Sequence, residues 1–139
     1  MLLAPNTNKK IYTWEEYNAD IHYLASTIES TYKPSCIVGI ARGGIIPAVH
    51  LSHLLNSPLH IKYWQTRDGG KRDLTPIPDR ALIVDDICDS GLTFKSVVEA
   101  CAHGEFKTAA IFESATAKYT VDFCINDNNQ EWVVFPWEQ

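Results

Sequence analysis

Two short apolar runs, each driven into a polar turn and then into a helix, constrain this chain more than any other feature. "CIVGIA" (36–41) meets "RGG", and "IIPAVHLSHLL" then resumes a helical pattern with Pro47 in its first turn. "ALIVD" (81–85) meets "DICDSG", after which Phe94, Val97, Val98 and Cys101 mark one helical face, with Gly104 placed to end it. Apolar runs without polar alternation are buried on both faces. Strand, turn and helix in repetition predict a parallel sheet covered on both sides. The expected fold is therefore α/β, a mostly parallel sheet of about five strands flanked by helices. "LHIKYW" (59–64), "TAAIF" (108–112) and "VDFCI" (121–125) supply the other strands, the last alternating as a strand nearer an edge does.

Before the first of these runs, "TWEEYNADIHYLASTIESTY" (13–32) predicts a helix with a Thr13/Glu16 capping box. Its core-facing stripe is Trp14, Tyr17, Ile21, Leu24, Ala25 and Ile28. "QTRDGGKRDLTPIPD" (65–79) reads as a long polar loop, and loops of that length in compact domains are usually functional or mobile. The tail "EWVVFPWEQ" is unusually aromatic and is expected to form a small hood from about residue 126 to 139.

At 139 residues the chain has the length of a single domain, 1–139. Its 45% apolar and 21% charged residues suit a folded globular chain. A net charge of −5 argues against a nucleic-acid binder. Cys36, Cys88, Cys101 and Cys124 form no C-x-x-C pair, so buried free thiols are expected and a zinc site is not. His50 and His53 lack an evident third ligand. "MLLAPNTNKK" has too short an apolar run for a signal peptide, and no stretch approaches a membrane span. A cytoplasmic protein is expected.

The polar turns carry the chemistry. In open parallel sheets ligands bind beyond the carboxyl ends of strands, so both turns should face one cleft. "DSGLT" opens a helix, where backbone N–H groups and the helix dipole make an anion site. Ser90 and Thr93 add hydroxyls, and Gly91 admits close backbone approach. Asp85 and Asp86 call instead for hydroxyl donors or a cation. A ribose 5-phosphate meets both demands. Arg42, with Gly43 and Gly44, suits a further phosphate or pyrophosphate. Phosphoribosyl pyrophosphate, PRPP, unites these features. A Walker B reading fails because "DGGKRD" lacks the first glycine of the partner motif.

"ALIVDDICDSGLTF" (81–94) resembles the PRPP motif of the type I phosphoribosyltransferases, and "IVGIARGGIIPA" (37–48) their pyrophosphate loop. "YTW" (12–14) and "WVVFPW" (132–137) are similar to the start and end of the bacterial xanthine-guanine enzymes. The resemblance implies pentosyl transfer from PRPP to a purine, with guanine, xanthine or hypoxanthine as acceptor, giving a nucleoside monophosphate for purine salvage. It implies that Asp85 and Asp86 hold the ribose hydroxyls, partly through Mg²⁺. It gives Asp89, Ser90, Gly91, Leu92 and Thr93 the 5′-phosphate, and makes Asp89 the candidate general base at N7. Arg42, after a cis peptide, would stabilise leaving pyrophosphate. Trp132 would stack on the base, and backbone near Val133 would read its exocyclic edge. Arg67, Lys71 and Arg72 would belong to a mobile lid. Homodimers or homotetramers are expected by the same analogy.

This sequence departs from those enzymes in two places. Ser114 stands where they carry a purine-contacting lysine, with Lys118 four residues on as a substitute. Tyr63-Trp64 replaces a Ser-Tyr pair near the mobile loop. The rival readings are a PRPP-binding regulator without turnover and a transferase for another acceptor base.

Overall fold

The structure is a computed structural model, and it describes residues 8–128 and 131–139. The segment read for a signal peptide therefore lies largely outside the described residues, as do positions 129 and 130 of the expected hood. The first elements are β1 (Lys9–Ile11) and α1 (Trp14–Glu29). β2 (Cys36–Ala41), α2 (Ile45–Leu54) and β3 (Leu59–Tyr63) follow. After the long loop come β4 (Ala81–Cys88), α3 (Leu92–Cys101) and β5 (Phe106–Ser114). β6 (Phe123–Asn128), β7 (Trp132–Val134) and a 3₁₀ turn at Pro136–Glu138 complete the chain.

Five strands lie in the order β3-β2-β4-β5-β6, and every neighbouring pair is parallel. Alternation along each strand decides what it packs against. Leu82 and Val84 of β4 face Ile21, Leu24 and Ile28 of α1 and Leu51 of α2. Ala81 and Ile83 face Phe94, Val97 and Cys101 of α3. Both faces are thus covered, as the unbroken apolar runs require. From β2 the chain winds outward to β3 and then returns past β2 to β4. The sheet therefore reverses its winding between β2 and β4, and a cleft opens at their carboxyl ends.

Local chemistry sets the boundaries. The α1 capping box is formed: Glu16 N donates to Thr13 Oγ1 at 3.1 Å, and Thr13 N to Glu16 Oε1 at 3.0 Å. A cap of this kind contributes about 1 kcal/mol. Trp14 departs from the expected stripe. It is 54% exposed and lies near Trp137, with ring centroids 6.0 Å apart. α3 ends at Cys101, ahead of Gly104, which instead lies against Asp79; Asp79 Oδ1 accepts from Glu105 N at 2.6 Å.

The aromatic tail shows a second difference. Residues 126–128 close the large sheet as part of β6. The smaller sheet is β7 paired in parallel with β1, a strand too short to be read from sequence. Tyr12, just after β1, anchors this corner. Its hydroxyl donates to Asp20 Oδ2 at 2.5 Å, and Asn126 Nδ2 donates to the same oxygen at 2.9 Å. Tyr12 also meets Phe112 and Phe135 edge-on, at 5.0 and 5.9 Å.

Candidate active site

The two polar turns do meet. The Ala41–Arg42 peptide is cis, and the β2–α2 turn is closed by Gly44 N donating to Ile40 O at 2.8 Å. Gly43 lies so close to the end of β4 that a Cβ there would fall 2.5 Å from Asp86 Oδ2. No side chain fits between the turns, which explains a glycine beside Arg42. The Arg42 side chain itself is exposed.

At the other turn, Gly91 is the N-cap of α3 and has φ of +85°, a conformation suited to glycine. No side chain caps this helix through Gly91, and Leu92 N donates to Ser90 Oγ at 3.2 Å. Helix N–H groups and hydroxyls thus converge on a cavity of about 190 Å³ lined by residues 85–91 with Thr93 and Phe94. Leu92 is exposed, so its contribution to the turn is its backbone.

Asp85 is 9% exposed and Asp86 half-buried. Asp85 Oδ1 accepts from Asp86 N at 2.8 Å, and Asp86 Oδ1 accepts from Ile87 N at 2.7 Å. These bonds fix the carboxylates but do not neutralise them. Burial, and then the neighbouring Asp86, hold the Asp85 carboxyl well above the usual carboxylate range. Burial raises Asp86 as well. Two buried acids side by side favour full ionisation only where hydroxyls or a cation join them. Asp89 is exposed at the rim.

A second cavity, of about 260 Å³, is lined by Asp86, Ile87, Asp89, Asn128, Glu131, Trp132, Val133, Phe135 and Glu138. It shares Asp86, Ile87 and Asp89 with the first. Trp132 is 64% exposed, an unusual place for a tryptophan with no face to stack on. Trp137 behaves differently: it stacks on Phe135 at 4.9 Å and packs against Tyr17.

Other expected site residues line neither cavity. Ser114 is buried, shares a 2.9 Å hydrogen bond with Thr116, and lines neither cavity. Lys118 is exposed and lines neither cavity, and its backbone N donates to Ser90 O at 2.8 Å. Arg72 braces its own loop, donating to Gln65 O at 2.9 Å and Thr66 O at 3.1 Å over the Trp64 ring. Arg67 and Lys71 are exposed in the same loop. Lys62, on β3, anchors the far end of this loop. It is 4% exposed, and its Nζ donates to Asp73 O and Thr75 O at 2.8 and 2.7 Å.

A model of the phosphoribosyl transferase domain matches residues 7–139. The chain belongs to the phosphoribosyl transferase domain family. As a phosphoribosyltransferase it is 32% identical over 140 residues to a xanthine-guanine phosphoribosyltransferase of Gluconobacter oxydans, covering 91% of this chain and 82% of that protein. A xanthine-guanine phosphoribosyltransferase of Nitratidesulfovibrio vulgaris is 29% identical over 136 residues, with the same coverage. The crystal structure of a purine phosphoribosyltransferase from Pyrococcus horikoshii superposes with a TM-score of 0.80 at 35% identity, covering 94% of this chain and 95% of that one.

Two features of this phosphoribosyltransferase escaped the sequence. The first is the strap at residues 118–119. Phe94 stacks on Tyr119 at 5.9 Å, Cys88 Sγ donates to Tyr119 O at 3.2 Å, and a Cβ on Gly91 would collide with Tyr119 N at 2.6 Å. The second is the acidic lining around Trp132, from Glu131 and Glu138. Neither carries a motif. Each depends on contacts between segments distant in sequence.

Proposed function

We propose that this enzyme transfers ribose 5-phosphate from PRPP to a ring nitrogen of a purine, releasing pyrophosphate and forming a nucleoside monophosphate. The observation that carries this reading is the shared wall. A sugar-phosphate cavity and an aromatic cavity adjoin through Asp86, Ile87 and Asp89, so a base against Trp132 would lie next to C1 of a ribose whose phosphate rests on Ser90–Thr93.

In this reading the 5′-phosphate accepts from the N–H groups and hydroxyls of residues 89–93. The ribose diol donates to Asp85 and Asp86. Arg42 and the backbone of Gly43 and Gly44 hold pyrophosphate. The C1–O bond to pyrophosphate breaks and leaves positive charge on the ring, while the purine nitrogen attacks from the opposite side and inverts C1. Asp89 accepts the proton released from the attacking purine. Val133 backbone lies beside the base edge. Arg67 and Lys71 close over the leaving group and exclude water, while Arg72 stays as the brace of their loop.

The donor set suits Mg²⁺. Asp85 and Asp86 offer hard oxygens, and no third His, Cys, Asp or Glu completes a protein-only metal site among the described residues. The remaining positions would come from substrate oxygens and water. An ion held there would supply positive charge to offset that developing on the departing pyrophosphate. Four free cysteines support a reducing compartment such as the cytoplasm. Among the described residues no helix is long and apolar enough to cross a membrane. Leu59 and Tyr63, exposed on edge strand β3, support self-association as a dimer or tetramer, which sedimentation would test.

The test is pyrophosphate release with PRPP, Mg²⁺ and a panel of bases. Product with a purine is expected, and Asp89→Asn should lower kcat by about 10²-fold or more. Tight PRPP binding with no product from any base would make the chain a regulator. Product only with a pyrimidine would move it to another acceptor class.

A further inference from the structure

The cavity beside Trp132 has a sign. Asp86, Asp89, Glu131 and Glu138 bring four carboxylates to its lining, and no lysine, arginine or histidine is among the described lining residues. None of the nearby lysines lines it. Lys10 Nζ is held by Glu16 Oε2 at 2.8 Å. Lys9 is level with Trp132 in the β1–β7 ladder but does not line the cavity. Lys118 does not line it either.

Glu138 is positioned. Its Oε1 accepts from Phe135 N at 2.9 Å, which holds the carboxylate on the cavity wall at the end of the chain's 3₁₀ turn. Asn128 is 4% exposed, and its Oδ1 accepts from Glu131 N at 3.1 Å, which fixes the start of the segment carrying Glu131 and Trp132. Ionised carboxylates accept hydrogen bonds and cannot donate them. A flat ring in this cavity therefore meets acceptors along its edge.

We infer that Glu138 and Glu131 make this a pocket for purines that present N–H donors on the pyrimidine edge, and that they disfavour xanthine. The inference rests on the proposed transferase reading and narrows its acceptor. Guanine offers N1–H and its 2-amino group side by side, a donor pair that matches one carboxylate. Hypoxanthine offers N1–H alone. Xanthine puts a carbonyl oxygen where guanine has the amino group. It also sheds a ring proton near neutrality, so an anion would enter a pocket lined by anions. The expected order is guanine, then hypoxanthine, then xanthine.

The experiment measures two things on the full chain with Mg²⁺: kcat/KM for the three bases with PRPP, and base affinity by calorimetry. Guanine should exceed xanthine by about 10- to 100-fold in both, the scale of one or two charge-assisted hydrogen bonds. Glu138→Gln with Glu131→Gln should narrow that ratio by about tenfold, by lowering the guanine value and raising the xanthine value, with the KM for PRPP unmoved. The amide oxygen introduced by Glu138→Gln can still accept from Phe135 N, so the wall is kept. Equal use and equal affinity for guanine and xanthine in the parent enzyme would overturn the inference and leave the transferase reading standing. A parent preference that the double variant does not change would overturn the role of the two glutamates. Selective guanine binding without product from any base would support the pocket and overturn the transferase. A chain that binds none of the three bases overturns both.

Discussion

Asp85 is a carboxylate kept out of water beside a second one, and that has a measurable signature. A folded-state pKa above the unfolded value contributes stability that is full below the unfolded pKa and is lost as pH rises through the folded one. Burial raises both Asp85 and Asp86, so the ligand-free protein should lose stability as pH climbs above the ordinary carboxylate range. Thermal melts of the parent and of Asp85→Asn should therefore diverge with rising pH, the variant gaining relative to the parent. Parallel melting curves would show that Asp85 ionises freely. Trp132 makes a different prediction. Its exposed indole gives it little to lose in the core, so Trp132→Ala should leave the melting temperature nearly unchanged. Base affinity should fall by about 1–3 kcal/mol, the scale of an aromatic stack on a nucleobase. Thermal melts read the first outcome, and titration of guanine against enzyme and Mg²⁺ reads the second.

Among the elements, the β–turn–α units were legible because every signal agreed. Residues 36–54 and 81–101 pair an unbroken apolar run with a helix whose stripe faces the same sheet, and short-range pattern suffices for that. The capping box at Thr13 was legible for the same reason. Strand β1 was not: three residues of "KKI" hold no periodicity, and they become a strand only because β7 lies beside them. Trp14 misled for a related reason, since helical spacing places it near the core but cannot show that the adjacent surface belongs to Trp137. The acidic wall formed by Glu131 and Glu138 was hidden too, because charge in a tail reads as solvated until the fold curls it over a cavity. Tyr12 is the joint of this corner. Tyr12→Phe removes its bond to Asp20 while keeping the ring against Phe112 and Phe135. Loss of a hydrogen bond to a charged group costs about 1.5–3 kcal/mol. The expected result is a higher KM for the base with that for PRPP little changed. Equal rises in both would mean that Tyr12 supports the whole sheet.

Across the molecule, three thiols are buried in the core, that of Cys124 is half-buried, and none is paired. Burial pushes the Cys88 thiol up to about 12 and the Cys124 thiol up to about 11. The reactive species is the thiolate, so these side chains should be inert near neutral pH while the fold is intact. Alkylation at mildly alkaline pH should modify neither in the native protein and all four cysteines after denaturation. Rapid native labelling at Cys88 would mean that the cavity beside Ser90 opens far more often than its packing suggests.

The β1–β7 pair joins segments from opposite ends of the described chain, whereas the β2–α2 turn is closed by residues adjacent in sequence and the turn before α3 by Ser90 and Leu92 with a strap from residues 118–119. Loop-closure entropy makes such a distant pairing a late event on the way to the native state and an early loss on the way out. On the proposed reading, a molecule that sheds this ribbon would keep the turns assigned to the activated sugar and lose the wall assigned to its acceptor. Amide exchange should accordingly be faster at Ile11 and Val134 than at Ile83. Local opening at this corner would therefore, on that reading, weaken the hold on the acceptor before it weakens the hold on the donor.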